Sequence, residues 1–271
     1  MSTRAPEVHA SGSYKVSADE RRAAGERERL ESLSRFRDPF SSELFERLGI
    51  RDGWRCLEVG GGSGRLAHWM ADRVAPSGSV LSTDVDLRFH VPAEGNLEVR
   101  EHDITRDPLP ENAFDLVHAR AVLQHLAARE QALDRMIAAA KPGGWIVAED
   151  ADFRVMEEQE RPPNFAAVSD AMTQMGLQIR AWDRYFGRKL LGLFQSRHLE
   201  DVVAEGHVWT MRGGTDSAEW YVKAMDFGAR GLAAGGLVSQ EQAEGALREA
   251  RSPDFAILSP LTVIARGRKP A

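Results

Sequence analysis

A glycine-rich turn after a short apolar strand constrains the fold of this chain more than any other stretch. The run Trp54 to Val59 is brief and apolar, which is typical of a buried strand, and four glycines and a serine follow between residues 60 and 64. Glycine has no side chain, so a ligand can come close to the backbone amides of such a turn. A helix should begin near Ser63, because apolar residues recur at helical spacing from Leu66 to Val74. Strand, turn and helix together predict a cradle for a nucleotide or cofactor.

Strand-like and helix-like segments continue to alternate as far as Asp150. Helical spacing marks a segment ending near Ala140, and the turn residues 141–144 follow it. Alternation at this spacing predicts an α/β fold, a doubly wound and mostly parallel sheet with helices on both faces. The further strands are expected at Ser79–Thr83, Leu97–Arg100, Phe114–His118 and Trp145–Glu149.

The segments that flank this alternation are less regular. Residues 1–13 are small and polar and predict a disordered tail, and residues 14–49 predict a helical segment in two parts, separated where Asp38 caps and Pro39 opens a second helix. Residues 50–150 form the predicted core. Residues 151–186 are interpreted as an inserted helical cap over the substrate. Residues 187–271 are interpreted as the remainder of the core, with strands at His207–Met211 and at Phe255–Ala265, the latter interrupted by Pro260.

Composition limits the partners. The formal net charge is -6, and basic residues alternate with acidic ones, so no nucleic-acid partner is expected. The single cysteine, Cys56, lies in the first predicted strand and excludes a disulfide within the chain. No stretch of eighteen apolar residues occurs, so no membrane partner is expected. The expected location is the cytoplasm. The sequence does not decide between a monomer and a homodimer.

Acidic residues follow three successive predicted strands. Glu58 lies near the end of the first, Asp84 ends the second and Asp103 follows the third. Ligands of a doubly wound sheet bind outside the carboxyl ends of its strands, so these acids are expected at one crevice. Asp84 is placed to accept hydrogen bonds from ribose hydroxyls, which predicts a ligand with an adenosine-like half. The fingerprint of dinucleotide-binding proteins has glycine or alanine at the position that Arg65 occupies here, so the sequence departs from that fingerprint.

The pattern acid-x-Gly-x-Gly-x-Gly from Glu58 to Gly64 resembles the first motif of class I S-adenosylmethionine-dependent methyltransferases. The resemblance covers about Arg51 to Asp150. Within this family, the sequence is similar to the bacterial small-molecule methyltransferases of the ubiquinone/menaquinone group. It implies a Rossmann-like methyltransferase fold with seven strands, an N-terminal helical lid and S-adenosyl-L-methionine as cofactor. The other matching segments are Ser82–Asp86, His102–Ile104, Phe114–Leu126 and Lys141–Trp145.

The same resemblance implies roles for individual cofactor-binding residues. Gly60, Gly62 and Ser63 would approach the methionine end, Asp84 and Val85 the ribose and adenine, Asp103 and Ile104 the adenine edge, and Ala119 and Arg120 the sulfonium. Glu58 is either part of this site or a carboxylate that holds the glycine turn. Tyr14 and Arg29 resemble the lid residues that close over the cofactor carboxylate; Arg27 competes for that role, and a solvated helix face is the alternative.

The acceptor site is predicted beyond the fourth and fifth strands. His125 is the candidate general base, with a packing or capping histidine as the alternative, and His118 is expected within the sheet. The candidate substrate-binding residues are Asp150, Phe153, Trp182 and Tyr185, with plain core as the alternative for the aromatic ones. No metal site is assigned. The predicted function is methyl transfer to oxygen or nitrogen of a small acceptor in secondary metabolism; the alternatives are a nicotinamide-dependent oxidoreductase and a non-catalytic cofactor-binding protein.

Overall fold

A computed structural model describes residues 20–179 and 182–271 of the chain. The strands of these ranges are β1 (Arg55–Val59), β2 (Ser79–Asp84), β3 (Leu97–Glu101), β4 (Phe114–Arg120), β5 (Ala140–Asp152), β6 (Glu200–His207), β7 (Thr210–Arg212), β8 (Ala256–Leu258) and β9 (Leu261–Arg268). The helices are α1 (Glu20–Leu48), α2 (Arg65–Val74), α3 (Arg129–Ala139), α4 (Arg154–Glu157), α5 (Pro163–Ile179), α6 (Leu190–Ser196), α7 (Asp216–Ala234) and α8 (Gln240–Arg251). Within the described ranges, none of these helices is both long enough and apolar enough to cross a lipid bilayer.

Seven strands form one sheet in the order β3-β2-β1-β4-β5-β9-β6. The first five pair in parallel, and β9 runs antiparallel between β5 and β6. The strand order proceeds outward from β1 to β3 and then restarts at β4 on the other side of β1. The predicted α/β, doubly wound and mostly parallel seven-stranded sheet is confirmed. Its topological switch point, where such folds bind ligands, lies between the carboxyl ends of β1 and β4.

The two faces of the sheet are covered by separate apolar clusters. Leu116 packs with α1 and α2 on one face, whereas its neighbour Val117 packs with α3 and α6 on the other. Successive residues of a strand point to opposite faces, and strands buried on both faces are continuously apolar for this reason. Cys56 is fully buried on the α1 and α2 face.

A second apolar core, which we call the cap core, lies beyond the carboxyl ends of β4 and β5. It is built from the buried residues of α4, α5, α7, α8 and the β7–β8 pair. Phe165 of α5 packs against Phe255, with ring centroids 5.1 Å apart, so distant parts of the chain share this core. The predicted insertion 151–186 thus supplies only part of it, and residues between 209 and 258 supply the rest.

The predicted break between two N-terminal helices at Asp38 and Pro39 is wrong. One helix, α1, runs through Pro39. The Asp38 carboxylate does not cap a helix but accepts a hydrogen bond from Arg120 Nη2 at 2.6 Å. Packing of both helix halves on the sheet and the cap core outweighs the backbone hydrogen bond that proline removes.

The strand predicted at His207–Met211 is also wrong, since the chain changes sheets within it. β6 ends at His207, paired with Thr262, and β7 begins at Thr210, paired with Leu258. The strand predicted at Phe255–Ala265 divides at the same level into β8 and β9, as Pro260 suggests. β5 extends to Asp152, three residues beyond its predicted end, because its pairing with β9 continues that far.

Candidate functional site

The glycine turn folds back over the end of β2. Gly60, Gly62 and Gly64 adopt φ values of 69°, 56° and 78°, a left-handed backbone that favours glycine. The amides of Gly60 and Gly61 donate to the carbonyl of Thr83 at 2.7 and 3.0 Å. The turn is therefore fixed against β2, and α2 begins directly after it at Arg65.

Asp84 joins the glycine turn to the adjacent strand end. Its Oδ2 accepts from the amide of Gly62 at 2.9 Å and its Oδ1 from the amide of Asp86 at 3.0 Å. Burial raises the pKa of the Asp84 carboxyl, although both amides oppose that rise. The Asp84 carbonyl accepts from the amide of His102 at 2.9 Å, which brings the residue before Asp103 to the same edge of the sheet.

The segment around Asp103 is ordered by its own loop. Asp103 Oδ1 accepts from the amide and the hydroxyl of Thr105 at 2.9 and 2.6 Å, and Oδ2 accepts from Arg106 Nε at 3.0 Å. Ile104 is buried and Val85 is half-buried. Both oxygens of Asp103 are therefore engaged within its own loop, and Arg106 Nη2 also lies 3.0 Å from Oδ2. The ring nitrogens of His102 are buried and have no hydrogen-bond partner in the described part of the chain.

Side chains from three segments lie against the glycine turn. A Cβ atom built on Gly60 would come within 2.3 Å of Val122 Cγ2, and one on Gly64 within 2.2 Å of His90 Cε1. On Gly62 it would come within 3.3 Å of Leu30 Cδ2. The glycines therefore admit close packing of α1 and of the loops after β2 and β4. His90 is held there by Ser82 Oγ, 2.9 Å from its Nε2.

Glu58, predicted for the cofactor site, is part of a buried ionic network within the sheet. His118 donates from Nδ1 to Glu58 Oε2 at 2.6 Å and from Nε2 to Glu149 Oε1 at 3.0 Å. Burial alone would lower the pKa of His118, but the two carboxylates outweigh it and raise the pKa to about 9. Arg37 of α1 reaches Glu149 Oε2 at 3.4 Å, and the pKa of Glu149 falls to about 2 despite burial, mainly through His118. The structure thus favours a structural role for Glu58 over one in cofactor binding, but its partner is His118 within the sheet and not the glycine turn.

Arg29, one of the two predicted lid residues, lies on α1, and this helix packs on the glycine turn. Ser34 Oγ is 2.9 Å from Ser63 Oγ, which joins α1 to the serine between Gly62 and Gly64. Arg29 donates to Glu26 at 2.6 Å, so it is paired along its own helix. Arg120 follows the buried Ala119 on β4 and is paired with Asp38 of α1. Tyr14 lies outside the described residues.

The acceptor residues predicted after β4 and β5 come together where the sheet meets the cap core, a place we call the junction. Asp150 is buried, and its Oδ1 accepts from the amide of Gln124 at 3.3 Å. The Gln124 side chain donates to His125 Nε2 at 3.0 Å, and the His125 ring stacks on Trp182 with centroids 5.7 Å apart. Phe153 packs edge-on against the Trp182 ring at 6.4 Å.

The environment of His125 argues against its predicted role as general base. Burial of its ring, followed by the guanidinium groups of Arg29, Arg129 and Arg184, lowers the pKa of His125 to about 3. Its Nε2 already accepts from Gln124. An imidazole with so low a pKa is a weak base, so the structure favours the packing interpretation for this residue.

Asp150 offers a better placed acceptor of protons. Burial raises its pKa to about 8, only partly offset by the amide of Gln124. Its second oxygen, Oδ2, is buried and has no hydrogen-bond partner among residues 20–179 and 182–271. Tyr185, by contrast, donates its hydroxyl to Glu157 at 2.6 Å, beside the junction. Asp152 is paired with Arg188 at 2.9 Å and is thereby committed to the fold.

Sequence reasoning missed several residues that build this site. Gln124 connects Asp150 to His125, Val122 and His90 pack on the glycine turn, and Arg184 is buried at the junction. Glu149 lies beside Asp150 at the end of a predicted strand. Like Glu58 and His118, it is a titratable residue within an apolar strand, and this was the available signal for the network. The others are polar or common residues in loops, and only the fold shows where they lie.

A glycine turn at the switch point of a doubly wound sheet, with an acid at the end of the next strand, defines a class of proteins that bind a nucleotide-like cofactor there. A family model described as "Methyltransferase domain" matches residues 27–205, more than half of the chain. The chain belongs to this methyltransferase domain family. Membership assigns S-adenosyl-L-methionine to the site as cofactor and favours methyl transfer over the nicotinamide-dependent alternative.

Individual relatives agree with the family. The chain is 31% identical to Methyltransferase str3 of Strobilurus tenacellus over 144 residues, 52% of this chain and 51% of that protein. It is 32% identical to the ubiquinone/menaquinone biosynthesis C-methyltransferase UbiE of Pseudomonas savastanoi over 108 residues, 36% of this chain and 42% of that protein. The match thus spans about half, or less, of these relatives' length. The YcgJ protein from Bacillus subtilis shares the fold at 13% identity and a TM-score of 0.56, over 85% of this chain and 97% of that one.

The residues present fit this cofactor. Asp84 at the end of β2 is where ribose hydroxyls are bound in such folds. The unpartnered buried nitrogens of His102, next to Asp103, would be satisfied by polar atoms of a ligand. Leu30 and Val122 lie against Gly62 and Gly60 and would provide apolar contacts around the methionine end.

Proposed function

We propose that this protein transfers a methyl group from S-adenosyl-L-methionine to an oxygen or nitrogen atom of a small organic acceptor, of the kind found in secondary metabolism. The observation that carries the proposal is the set of buried polar atoms without partners at the junction. Asp150 Oδ2, Trp182 Nε1 and the terminal nitrogens of Arg184 all lack a hydrogen-bond partner within the described residues. Buried polar groups are almost always paired, so these atoms are expected to bind a polar ligand.

The surroundings of these atoms support a small acceptor. The cap core covers the carboxyl ends of β4 and β5, and Trp182 and Phe153 enclose the junction with aromatic rings. Apolar walls with a few polar groups are typical of small-molecule sites. Val122, two residues before Gln124, touches the glycine turn, so the acceptor would lie next to the cofactor.

The bound cofactor supplies a methyl group activated by its sulfonium sulfur. The residues of the chain have to hold the acceptor in line with that group, exclude water and take up a proton. As the acceptor oxygen or nitrogen forms its bond to the methyl carbon, the sulfur–carbon bond breaks and the acceptor loses a proton. We assign that proton to Asp150 Oδ2, because this carboxylate is buried, has an available oxygen and titrates near neutral pH.

Turnover on an acceptor library tests the proposal. Purified protein is incubated with methyl-labelled S-adenosylmethionine and a set of phenols, amines, carboxylic acids and quinols, and products are located by mass spectrometry. The proposal expects a methyl group on oxygen or nitrogen of at least one compound. Methylation on carbon only would contradict the assigned atom, and tight binding of S-adenosylhomocysteine without any turnover would favour the non-catalytic alternative.

A further inference from the structure

Arg184 is the largest fully buried side chain of the described residues, and its charge is poorly matched by the protein. The side chain is 2% exposed. Its Nε lies 3.5 Å from Glu157 Oε1, an ion pair without a hydrogen bond, while Nη1 and Nη2 have no hydrogen-bond partner in the described ranges. Glu157 itself is engaged elsewhere, because it accepts from Thr173 at 2.7 Å and from Tyr185 at 2.6 Å.

The guanidinium group is held in place by aromatic rings. Its Cζ lies 3.7 Å from the centroid of Phe153 and 4.9 Å from that of Trp182. Stacking of this kind fixes the plane of the group and leaves its edge, with the two terminal nitrogens, to other partners. A buried cation without hydrogen bonds is costly, so a partner from outside the chain is expected.

The charge around this edge favours an anion. Three guanidinium groups, of Arg29, Arg129 and Arg184, act on His125. Arg29 is paired with Glu26 at 2.6 Å and Arg129 with Asp183 at 3.1 Å. Among these three, Arg184 has the longest ion pair, so it is the one whose charge is least compensated.

We propose that Arg184 binds a carboxylate carried by the methyl acceptor. This inference rests on the proposed function and names its substrate class: a small aromatic or unsaturated carboxylic acid, with its ring against Trp182 and Phe153 and its carboxylate on Nη1 and Nη2. An arginine edge and a carboxylate match in two parallel hydrogen bonds, which gives this class an advantage over neutral acceptors of the same shape.

Calorimetric titration of the protein saturated with S-adenosylhomocysteine tests the inference. The probes are benzoate, salicylate, 4-hydroxybenzoate and anthranilate, each compared with its primary amide. We expect at least one acid to bind about tenfold or more tightly than its amide, and Arg184→Gln to reduce that preference to about twofold or less. The inference is overturned if no acid outbinds its amide, or if the preference survives in Arg184→Gln.

A matched control is Arg161→Gln, which removes an arginine paired with Asp170 at 3.0 Å and should leave the preference unchanged. If Arg184→Gln does not fold, Arg184→Lys replaces it; one ammonium group cannot bind both oxygens in parallel, so the preference should fall several-fold, and an unchanged preference refutes the inference. A lower melting temperature without a change in preference would show a purely structural Arg184.

Turnover on the same probes separates this inference from the proposed function. Preferential binding of acids without methyl transfer would support the carboxylate site at Arg184 and contradict the proposed activity. Methyl transfer to neutral acceptors, with an unaltered preference in Arg184→Gln, would support the activity and contradict the carboxylate site.

Discussion

Glu58→Gln tests whether the acid of the glycine motif holds the fold or the cofactor. Glu58 and Glu149 flank the fully buried His118. The rise in the pKa of His118 from 6.5 to about 9 corresponds to about 3 kcal/mol of stability. Because two carboxylates share this effect, replacing one by its isosteric amide should lower the free energy of unfolding by about 1 to 2 kcal/mol near pH 6. The affinity for S-adenosylhomocysteine should stay within about twofold.

The pH dependence of this loss has a definite sign. The pKa of His118 is higher in the folded than in the unfolded state, so its contribution is complete below pH 6.5 and is lost as pH rises through about 9. In Glu58→Gln the pKa of His118 rises less on folding, so a protonated His118 contributes less to the free energy of unfolding. The difference in unfolding free energy between the wild type and Glu58→Gln should therefore shrink between pH 6.5 and 9.

Urea unfolding followed by tryptophan fluorescence at pH 6, 7.5 and 9 measures this difference. Glu98→Gln is the matched control, because Glu98 is 60% exposed and paired with Arg100 on β3, and its loss should change the unfolding free energy by less than about 0.5 kcal/mol. If the difference in unfolding free energy between the wild type and Glu58→Gln is the same at all three pH values, the stabilisation does not come from a protonated His118. A tenfold loss of cofactor affinity at unchanged stability would return Glu58 to the cofactor site.

Three further predictions concern the two halves of the site. Asp84→Asn should weaken the binding of S-adenosylhomocysteine by about tenfold or more in calorimetry, because a charged acceptor beside the glycine turn is lost. Gly60→Ala should lower the free energy of unfolding by at least about 1 kcal/mol in urea titration, since φ is 69° and the added Cβ would lie 2.3 Å from Val122 Cγ2. With an identified acceptor, kcat/KM of the wild type should rise with pH through about 8 as Asp150 ionises. Asp150→Asn should have a lower kcat/KM that does not change with pH, and if kcat/KM of this variant still rises through pH 8, Asp150 is not the base.

The parts of this fold that were predictable from the sequence depend on local patterns. The glycine turn, the strands up to Glu149 and their parallel order follow from apolar runs, turn residues and motif spacing, each of which acts within about twenty residues. Asp84 and the residue before Asp103 are hydrogen-bonded at one edge of the sheet because parallel strands place their carboxyl ends together. Nothing in these predictions required knowledge of distant contacts.

The predictions that were wrong concern residues whose structure depends on contacts distant in the sequence. Pro39 continues a helix because the sheet and the cap core hold both halves of α1, and the segment at His207 changes sheets because β8 and β9 diverge near Pro260. Burial of the ring, followed by the guanidinium groups of Arg29, Arg129 and Arg184, lowers the pKa of His125. Arg184 would be expected at the surface by residue type alone, yet it is 2% exposed. Each outcome depends on tertiary neighbours, which periodicity does not reveal.

Helix α1 connects the cofactor site to the cap core through contacts in its first half, before Pro39. Leu30 and Ser34 lie on the glycine turn, whereas Phe36 packs on Trp209 with ring centroids 4.7 Å apart. Glu28 also pairs with Lys223 of α7 at 2.7 Å. All four residues precede Asp38, so the same segment of α1 covers the turn and the cap core. Because one segment of α1 lies on both, displacing it from the glycine turn is expected to disturb its packing on the cap core as well.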